Sequence, residues 1–183
     1  MIPIGISEIL KAVDGTLLWG DENGVVTNVV TDSRKAGKGS LFVPIVGERV
    51  DAHQFIPQVM QAGASVTFSS RKDVAPAASG CCIYVEDTLA ALQKAAAYYR
   101  SRFDIPVIGV TGSVGKTTTK EMISAVLEKK YRVVKTQGNW NSQIGVAMMM
   151  FELEPETELA IFEMGMSLPG EMARLVEIAK PQT

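Results

Sequence analysis

Residues 107–122 read VIGVTGSVGKTTTKEM. An apolar run ends in a glycine-studded turn, followed by Lys116, three threonines and the start of a helical pattern. Strand, glycine turn and helix in that order make a phosphate-binding loop, in which backbone amides and a helix N-terminus face an anion. In such a loop Lys116 contacts the β- and γ-phosphates and Thr117 offers its hydroxyl to Mg²⁺. The amides of Gly112, Ser113, Val114 and Gly115 through Thr118 cradle phosphate oxygens, and Thr118 supplies a second hydroxyl. The stretch departs from GxxxxGK[ST] at its first position, where Val110 stands and Gly109 lies one residue early. The competing interpretation is a glycine turn that precedes a helix beginning with Lys.

Two further positions carry chemistry. Glu163 follows the apolar run LAIF. A carboxylate at the C-terminal end of a parallel strand sits where ligands bind in open α/β sheets, and it suits Mg²⁺. The alternative for Glu163 is a structural ion pair. Asn139 and Asn141 in GNWNSQIG also follow a strand pattern, and on their own they are equally turn residues.

These residues need a scaffold, and the chain offers one. Strand-like runs at 25–30, 40–46, 64–70 and 81–87 are interleaved with helical patterns at 7–13, 51–63 and 88–103. Pro57 must lie in the first turn of its helix or kink it. At Asp104-Ile105-Pro106 the pattern restarts, which places a domain boundary between 103 and 104. Strands are expected at 106–110, 132–136 and 158–165, and helices at 116–130, 144–153 and 169–179. Met122, Ile123, Val126 and Leu127 form the apolar face of the helix after the loop. The three consecutive methionines at 148–150 read as core filler. The fold class is α/β: a small N-terminal α/β domain (1–103) followed by a P-loop domain with a parallel sheet (104–183). Three strands are few for such a sheet, so the second domain is expected to be truncated, its first half only.

Composition narrows the class. The 183 residues are 46% hydrophobic and 21% charged, with a net charge of −2. No basic surplus points to nucleic acid. No apolar stretch reaches the length of a membrane span, and MIPIGISEILKAVDG lacks the layout of a secretory signal. Cys81 and Cys82 sit in the apolar run CCIYVE and read as buried thiols, consistent with a cytoplasmic protein.

Several motifs together resemble the Mur ligases, ATP-dependent amide ligases of peptidoglycan precursor synthesis. TGSVGKTTTKEM is similar to that family's variant of the phosphate loop, which commonly has Asn where Val114 stands. TDSRKAGKGSLFVPIVGERVDAHQFI (31–56) resembles its uridine-nucleotide-binding domain, and QGNWNSQIGVA its Asn-rich loop. That loop usually has a second Asn at the position of Ser142 and often Pro at that of Ala147. EMGMSLPGEM (163–172) resembles the branch that joins D-alanyl-D-alanine to UDP-N-acetylmuramoyl-tripeptide. The branch adding the third residue usually shows Ser-Ser-His after this Glu.

The resemblance implies phosphate contacts from Thr111 to Thr117, nucleotide contacts from Asn139 and Asn141, and Mg²⁺ binding by Thr117 and Glu163. It also implies uridine-nucleotide contacts by Thr31, Ser33, Arg34, Arg49 and His53, with Arg34 a bidentate donor to the diphosphate. Lys116 and Glu163 are then the catalytic residues. Read without the family, Asp32 and Ser33 form a turn, Arg34 lies on a solvated face and His53 starts a helix. The implied reaction phosphorylates the tripeptide's terminal carboxylate with ATP, and the dipeptide amine then displaces phosphate from the acyl phosphate. The family's later central-domain His and modified Lys, and its C-terminal domain, are not among these residues, so the chain alone is expected not to complete ligation. The exposed sheet edge is expected to favour self-association or marginal stability. Competing functions are the third-residue ligase, a P-loop kinase or ATPase with another substrate, and a non-catalytic nucleotide-binding module.

Overall fold

The computed structural model describes residues 1–183, which divide into two compact units, Met1–Ala95 and Ala96–Thr183. The first unit opens with β1 (Ile4–Gly5), α1 (Ile6–Ala12) and β2 (Thr16–Trp19). β3 (Val25–Val26), β4 (Asn28–Val30) and β5 (Ser40–Phe42) follow, then α2 (Ile56–Gln61), β6 (Val66–Ser69) and β7 (Cys81–Tyr84). α3 (Thr88–Arg100) contains the division between the units. Its last turns belong to the second unit because Tyr99 and Arg100 are buried there. The Tyr99 hydroxyl donates to the Leu153 carbonyl at 2.7 Å, and the Arg100 guanidinium donates to the carbonyls of Phe103, Ile105 and Ala179. Burial lowers the pKa of Arg100, but three carbonyl acceptors hold its charge.

The main sheet of the first unit runs β2-β7-β6-β5-β4, with β4 to β7 parallel and β2 antiparallel to β7. The expected strand over 25–30 is two strands. Val25–Val26 pairs with β1, and Asn28–Val30 pairs with β5. At the break, the Thr27 amide donates to the Gly39 carbonyl at 2.8 Å. The strand expected over 40–46 ends its ladder at Phe42. Pro44 has no amide to donate, and its carbonyl accepts the Thr88 hydroxyl at 2.6 Å. The helix expected from 51 begins as a 3₁₀ turn, Ala52–Phe55, and Pro57 occupies the first turn of α2, where a missing amide is tolerated. β2 carries no strong pattern in the sequence. Gly20 ends it at φ +89°, where a side chain would collide with the backbone at Gly80 and Cys81.

In the second unit β8 (Val107–Val110), α4 (Lys116–Leu127), β9 (Val133–Lys135), α5 (Gln143–Met150), β10 (Leu159–Glu163) and α6 (Glu171–Ala179) alternate. Their strands form a parallel sheet ordered β8-β10-β9. Ser142 caps α5, accepting from the Gly145 amide at 3.3 Å. Met149 and Met150 are fully buried core, and Phe151 and Phe103 flank the Tyr99 ring at 5.4 and 5.1 Å.

The face of α4 differs from expectation. Ile123 and Leu127 pack against Val110, Leu159 and Ile161, but Met122 and Val126 are 67% and 72% exposed. The inward stripe is Lys120 and Ser124, fully buried, with Ile123 and Leu127 half-buried beside them, at the spacing of one helix face.

Cys81 and Cys82 are fully buried in β7, and burial pushes both thiols up to about 12, with Asp21 and Glu22 adding to the effect at Cys81. The thiolate is the reactive form. Both cysteines should therefore resist a thiol reagent at about pH 8 in the folded chain and react once guanidinium unfolds it. Rapid labelling of the native chain would show the centre of this sheet to be open.

Candidate active site

The three strands of the second unit end on one side of the sheet, and each passes directly into a segment that carries chemistry. β8 leads into Thr111–Gly115 and α4. Gly112 and Gly115 take φ of +143° and +78°, values that disfavour residues with a side chain. Gly115 is the residue on which α4 starts. Thr111, Ser113, Val114 and Thr118 are exposed around this loop, with Lys116 half-buried. The Lys116 ammonium donates to the Gly112 carbonyl at 2.8 Å, so it lies across the mouth of the loop.

β10 is the central strand and delivers Glu163, only 2% exposed. The Thr117 hydroxyl donates to one carboxylate oxygen of Glu163 at 2.8 Å, and the Asn141 side-chain amide donates to the other, also at 2.8 Å. The backbone amide of Glu163 donates to Thr136 Oγ1 at 2.8 Å. The structure thus unites Lys116, Thr117, Asn141 and Glu163. Asn139 is exposed on the same loop as Asn141. Asn141 meets the carboxylate directly and its carbonyl accepts the Gly165 amide at 2.8 Å, which makes it a support for Glu163.

The donor set suits a hard divalent cation. A carboxylate and a threonine hydroxyl are oxygen ligands, and Mg²⁺ in phosphoryl-transfer sites takes one or two such groups, its remaining positions going to phosphates and water. No group of three or more His, Cys, Asp or Glu forms a metal cage here, and a Mg²⁺ site of this kind needs none.

In the first unit the expected nucleotide residues lie where β4 and β5 end, and the turn after β6 joins them. Thr31 follows β4. Ser33 and Arg34 form a 3₁₀ turn capped by Asp32, whose carboxylate takes the Arg34 backbone amide at 3.0 Å and the guanidinium at 2.7–3.2 Å. The Arg34 side chain is 85% exposed, so its outer face remains open to a ligand. Arg49 is exposed in the 46–51 turn, which Val46 and Asp51 close with a bridge.

His53 departs from expectation, being buried. Its Nδ1 meets Asp51 Oδ1 at 2.6 Å, and its Nε2 accepts from the Ser70 amide at 3.0 Å. With the Ser70 hydroxyl also at 3.1 Å, neither ring nitrogen is left for a nucleotide. His53 therefore orders the loops around the site. Asp51 is held below the ordinary carboxylate range, chiefly by the His53 backbone amide, and also pairs with Arg71. Asp51, Ser70 and Arg71 were not legible beforehand, because their roles depend on strand ends that meet only in the fold.

A strand-loop-helix that presents Lys and Thr, beside a buried carboxylate on a central parallel strand, defines a P-loop nucleotide-binding fold. Residues 110–183 match the Mur ligase middle domain, and residues 25–100 match the Mur ligase family catalytic domain. The UDP-N-acetylmuramoyl-tripeptide–D-alanyl-D-alanine ligase of Bacillus subtilis is 43% identical over 182 residues, which is 99% of this chain and 40% of that protein. A crystal structure of MurF from Acinetobacter baumannii superposes with TM-score 0.90 at 35% identity, over 98% of this chain and 39% of that one. MurF ligase from Thermotoga maritima in complex with ADP superposes with TM-score 0.76 at 35% identity, over 84% and 35%. The chain belongs to the Mur ligase family. It spans about 40% of the length of these relatives.

Replacing Lys116 by Ala should weaken ATP binding roughly tenfold to a hundredfold, the value of a charge-assisted contact; unchanged affinity by fluorescence titration would exclude the lysine from the phosphate site. At Asp32 the Arg34 side chain, then its amide, hold the carboxyl at about 2. Because the folded value is depressed, stabilisation of this turn is present above the ordinary carboxylate range and is lost as pH falls toward about 2. An NMR titration should give an Asp32 midpoint near that value. A midpoint in the ordinary carboxylate range would mean that the pair does not form in solution.

Proposed function

We propose that this chain carries the nucleotide-sugar and ATP recognition parts of a ligase that joins D-alanyl-D-alanine to UDP-N-acetylmuramoyl-tripeptide. Met1–Ala95 forms the uridine-substrate domain, and Ala96–Thr183, which begins within α3 rather than at residue 104, carries the ATP-binding loop. The observation that carries this reading is the Thr117–Glu163 contact at the mouth of the glycine loop, in a chain whose relatives share that activity in their names.

The residues divide the work as follows. The amides of the 111–118 loop and the Lys116 ammonium hold the triphosphate and neutralise charge that spreads onto its oxygens during transfer. Thr117 and Glu163 are the residues that would hold Mg²⁺, which would supply Lewis-acid polarisation of the transferred phosphoryl group. Asn141 holds Glu163 in place, and Asn139 stands on the nucleotide side of the same loop. A carboxylate is a poor acylating agent. Transfer of the γ-phosphoryl to the tripeptide's terminal carboxylate makes it an acyl phosphate and releases ADP. The amine of D-alanyl-D-alanine then attacks the acyl carbon, forming the amide and expelling inorganic phosphate.

In the first unit Thr31, Ser33, Arg34 and Arg49 contact the uridine diphosphate portion, and His53 ties the turn that carries Arg49 to the turn at Ser70. The free, buried cysteines accord with a cytoplasmic location, where nucleotide substrates are available.

Calorimetric titration with UDP-N-acetylmuramoyl-tripeptide, against UDP-N-acetylglucosamine, tests the reading. Binding is the readout because the chain spans about 40% of its relatives. Selective binding of the muramoyl peptide is expected, and Arg34→Ala should weaken it roughly tenfold, as loss of a charged hydrogen bond does. Equal affinity for both ligands, or none for either in a folded chain, would count against recognition of this substrate by these residues.

A further inference from the structure

Lys120 stands one helical turn beyond Lys116 and Thr117, yet it is only 2% exposed. An ammonium withdrawn from water is destabilising unless it is paired and hydrogen-bonded. Its Nζ donates to the Thr136 carbonyl at 2.7 Å and lies 3.0 Å from the Glu121 carboxylate. Thr136 is itself 1% exposed, immediately after β9. Its amide donates to the Ile161 carbonyl at 3.0 Å, and its hydroxyl oxygen accepts the Glu163 amide at 2.8 Å. An unbroken line of contacts therefore runs from α4, through Lys120 and Thr136, to the backbone of the carboxylate that faces Thr117.

We propose that Lys120 is a positioning residue for Glu163. Its ammonium fixes the Thr136 peptide, Thr136 fixes the Glu163 amide, and the carboxylate is thereby held opposite Thr117 before any metal arrives. The inference rests on the reading of Thr117 and Glu163 as Mg²⁺ ligands. Groups that orient a metal ligand typically change metal affinity by about 10–100-fold when removed. Direct contact of Lys120 with nucleotide is not part of the scheme, since its ammonium is spent on Thr136 and Glu121.

The test titrates the chain with a fluorescent ATP analogue at a series of Mg²⁺ concentrations, and with ADP in the presence of a chelator. Lys120→Met keeps the length of the side chain and removes its charge. Thr136→Val keeps the shape and removes the hydroxyl. Either should raise the Mg²⁺ concentration for half-maximal nucleotide binding about tenfold, with chelator-treated ADP affinity unchanged within about twofold. Thr136→Ser, which restores the hydroxyl, should return the midpoint to that of the parent chain. Glu121→Gln, which loses only the exposed partner, should leave it there. The double variant Lys120→Met/Thr136→Val should be no worse than the more affected single variant, as members of one line of contacts are not additive. A parent-like midpoint in either single variant would overturn the proposal, as would equal losses with and without Mg²⁺ in variants that remain folded by circular dichroism. Should Lys120→Met fail to fold, Lys120→Gln takes its place, and a parent-like midpoint in that variant overturns the proposal. A parent chain whose nucleotide binding ignores Mg²⁺ overturns the metal-ligand reading itself, and that result is distinct from a parent response that the variants retain.

Discussion

A carboxylate buried as deeply as Glu163 is tolerable only if donors replace the water it has lost. Thr117 and Asn141 meet its two oxygens, and Thr136 takes the amide of the same residue. Those three partners come from three segments: the start of α4, the loop before α5 and the end of β9. The arrangement requires β10 between β8 and β9, as the sheet order has it. Were β10 an edge strand, one flank of Glu163 would be open to solvent and one set of donors out of reach. The phosphate loop, the Asn-rich loop and the order of the strands are therefore three aspects of a single constraint.

The first unit follows the same rule with different residues. Parallel strands β4, β5 and β6 end on one side, and the turns that leave them converge there, as expected for ligand sites in α/β sheets. His53 binds two of these turns together. Asp51 on one and Ser70 on the other saturate its ring, while Arg71 reaches back to Asp51. An imidazole used in this way gives the turn that carries the exposed Arg49 a firm base without offering itself to a ligand. A buried histidine with both nitrogens engaged and a ligand-binding histidine carry the same letter in a sequence, and only the geometry separates them.

What was legible in the sequence was what local chemistry dictates. Gly112, Gly115, Lys116 and Thr117 announce a phosphate loop because backbone freedom, charge and hydroxyl must follow one another in that order. Glu163 was visible because it ends an apolar run. The place of Pro57 in the first turn of α2 follows an equally local rule. The less legible features depend on partners far along the chain. The short strand β2 is held by β7, residues 81–84, and the break at Thr27 is decided by which neighbour each half finds. Asn141 has the composition of a turn residue, and its role emerges only because Glu163 comes to lie beside it.

The orientation of α4 shows how strongly the site governs its scaffold. By composition this helix should turn Met122, Ile123, Val126 and Leu127 inward. It buries Lys120 and Ser124 fully and Ile123 and Leu127 in part, and leaves Met122 and Val126 exposed. Positions 120 and 122 are separated by roughly 200° around a helix of 3.6 residues per turn, so the two arrangements cannot be reconciled by a small adjustment. Burying a Met or Val side chain is worth about 1.5–3 kcal/mol, and the helix forgoes that gain in this unit. Rotation to bury them would swing Thr117 away from Glu163 and Lys120 away from Thr136, leaving one oxygen of a buried carboxylate and one buried backbone carbonyl without those donors. The polar contacts prevail because the penalty for an unpaired buried charge exceeds the gain from two apolar side chains. Violations of the apolar pattern in this helix mark the side of it that faces the chemistry.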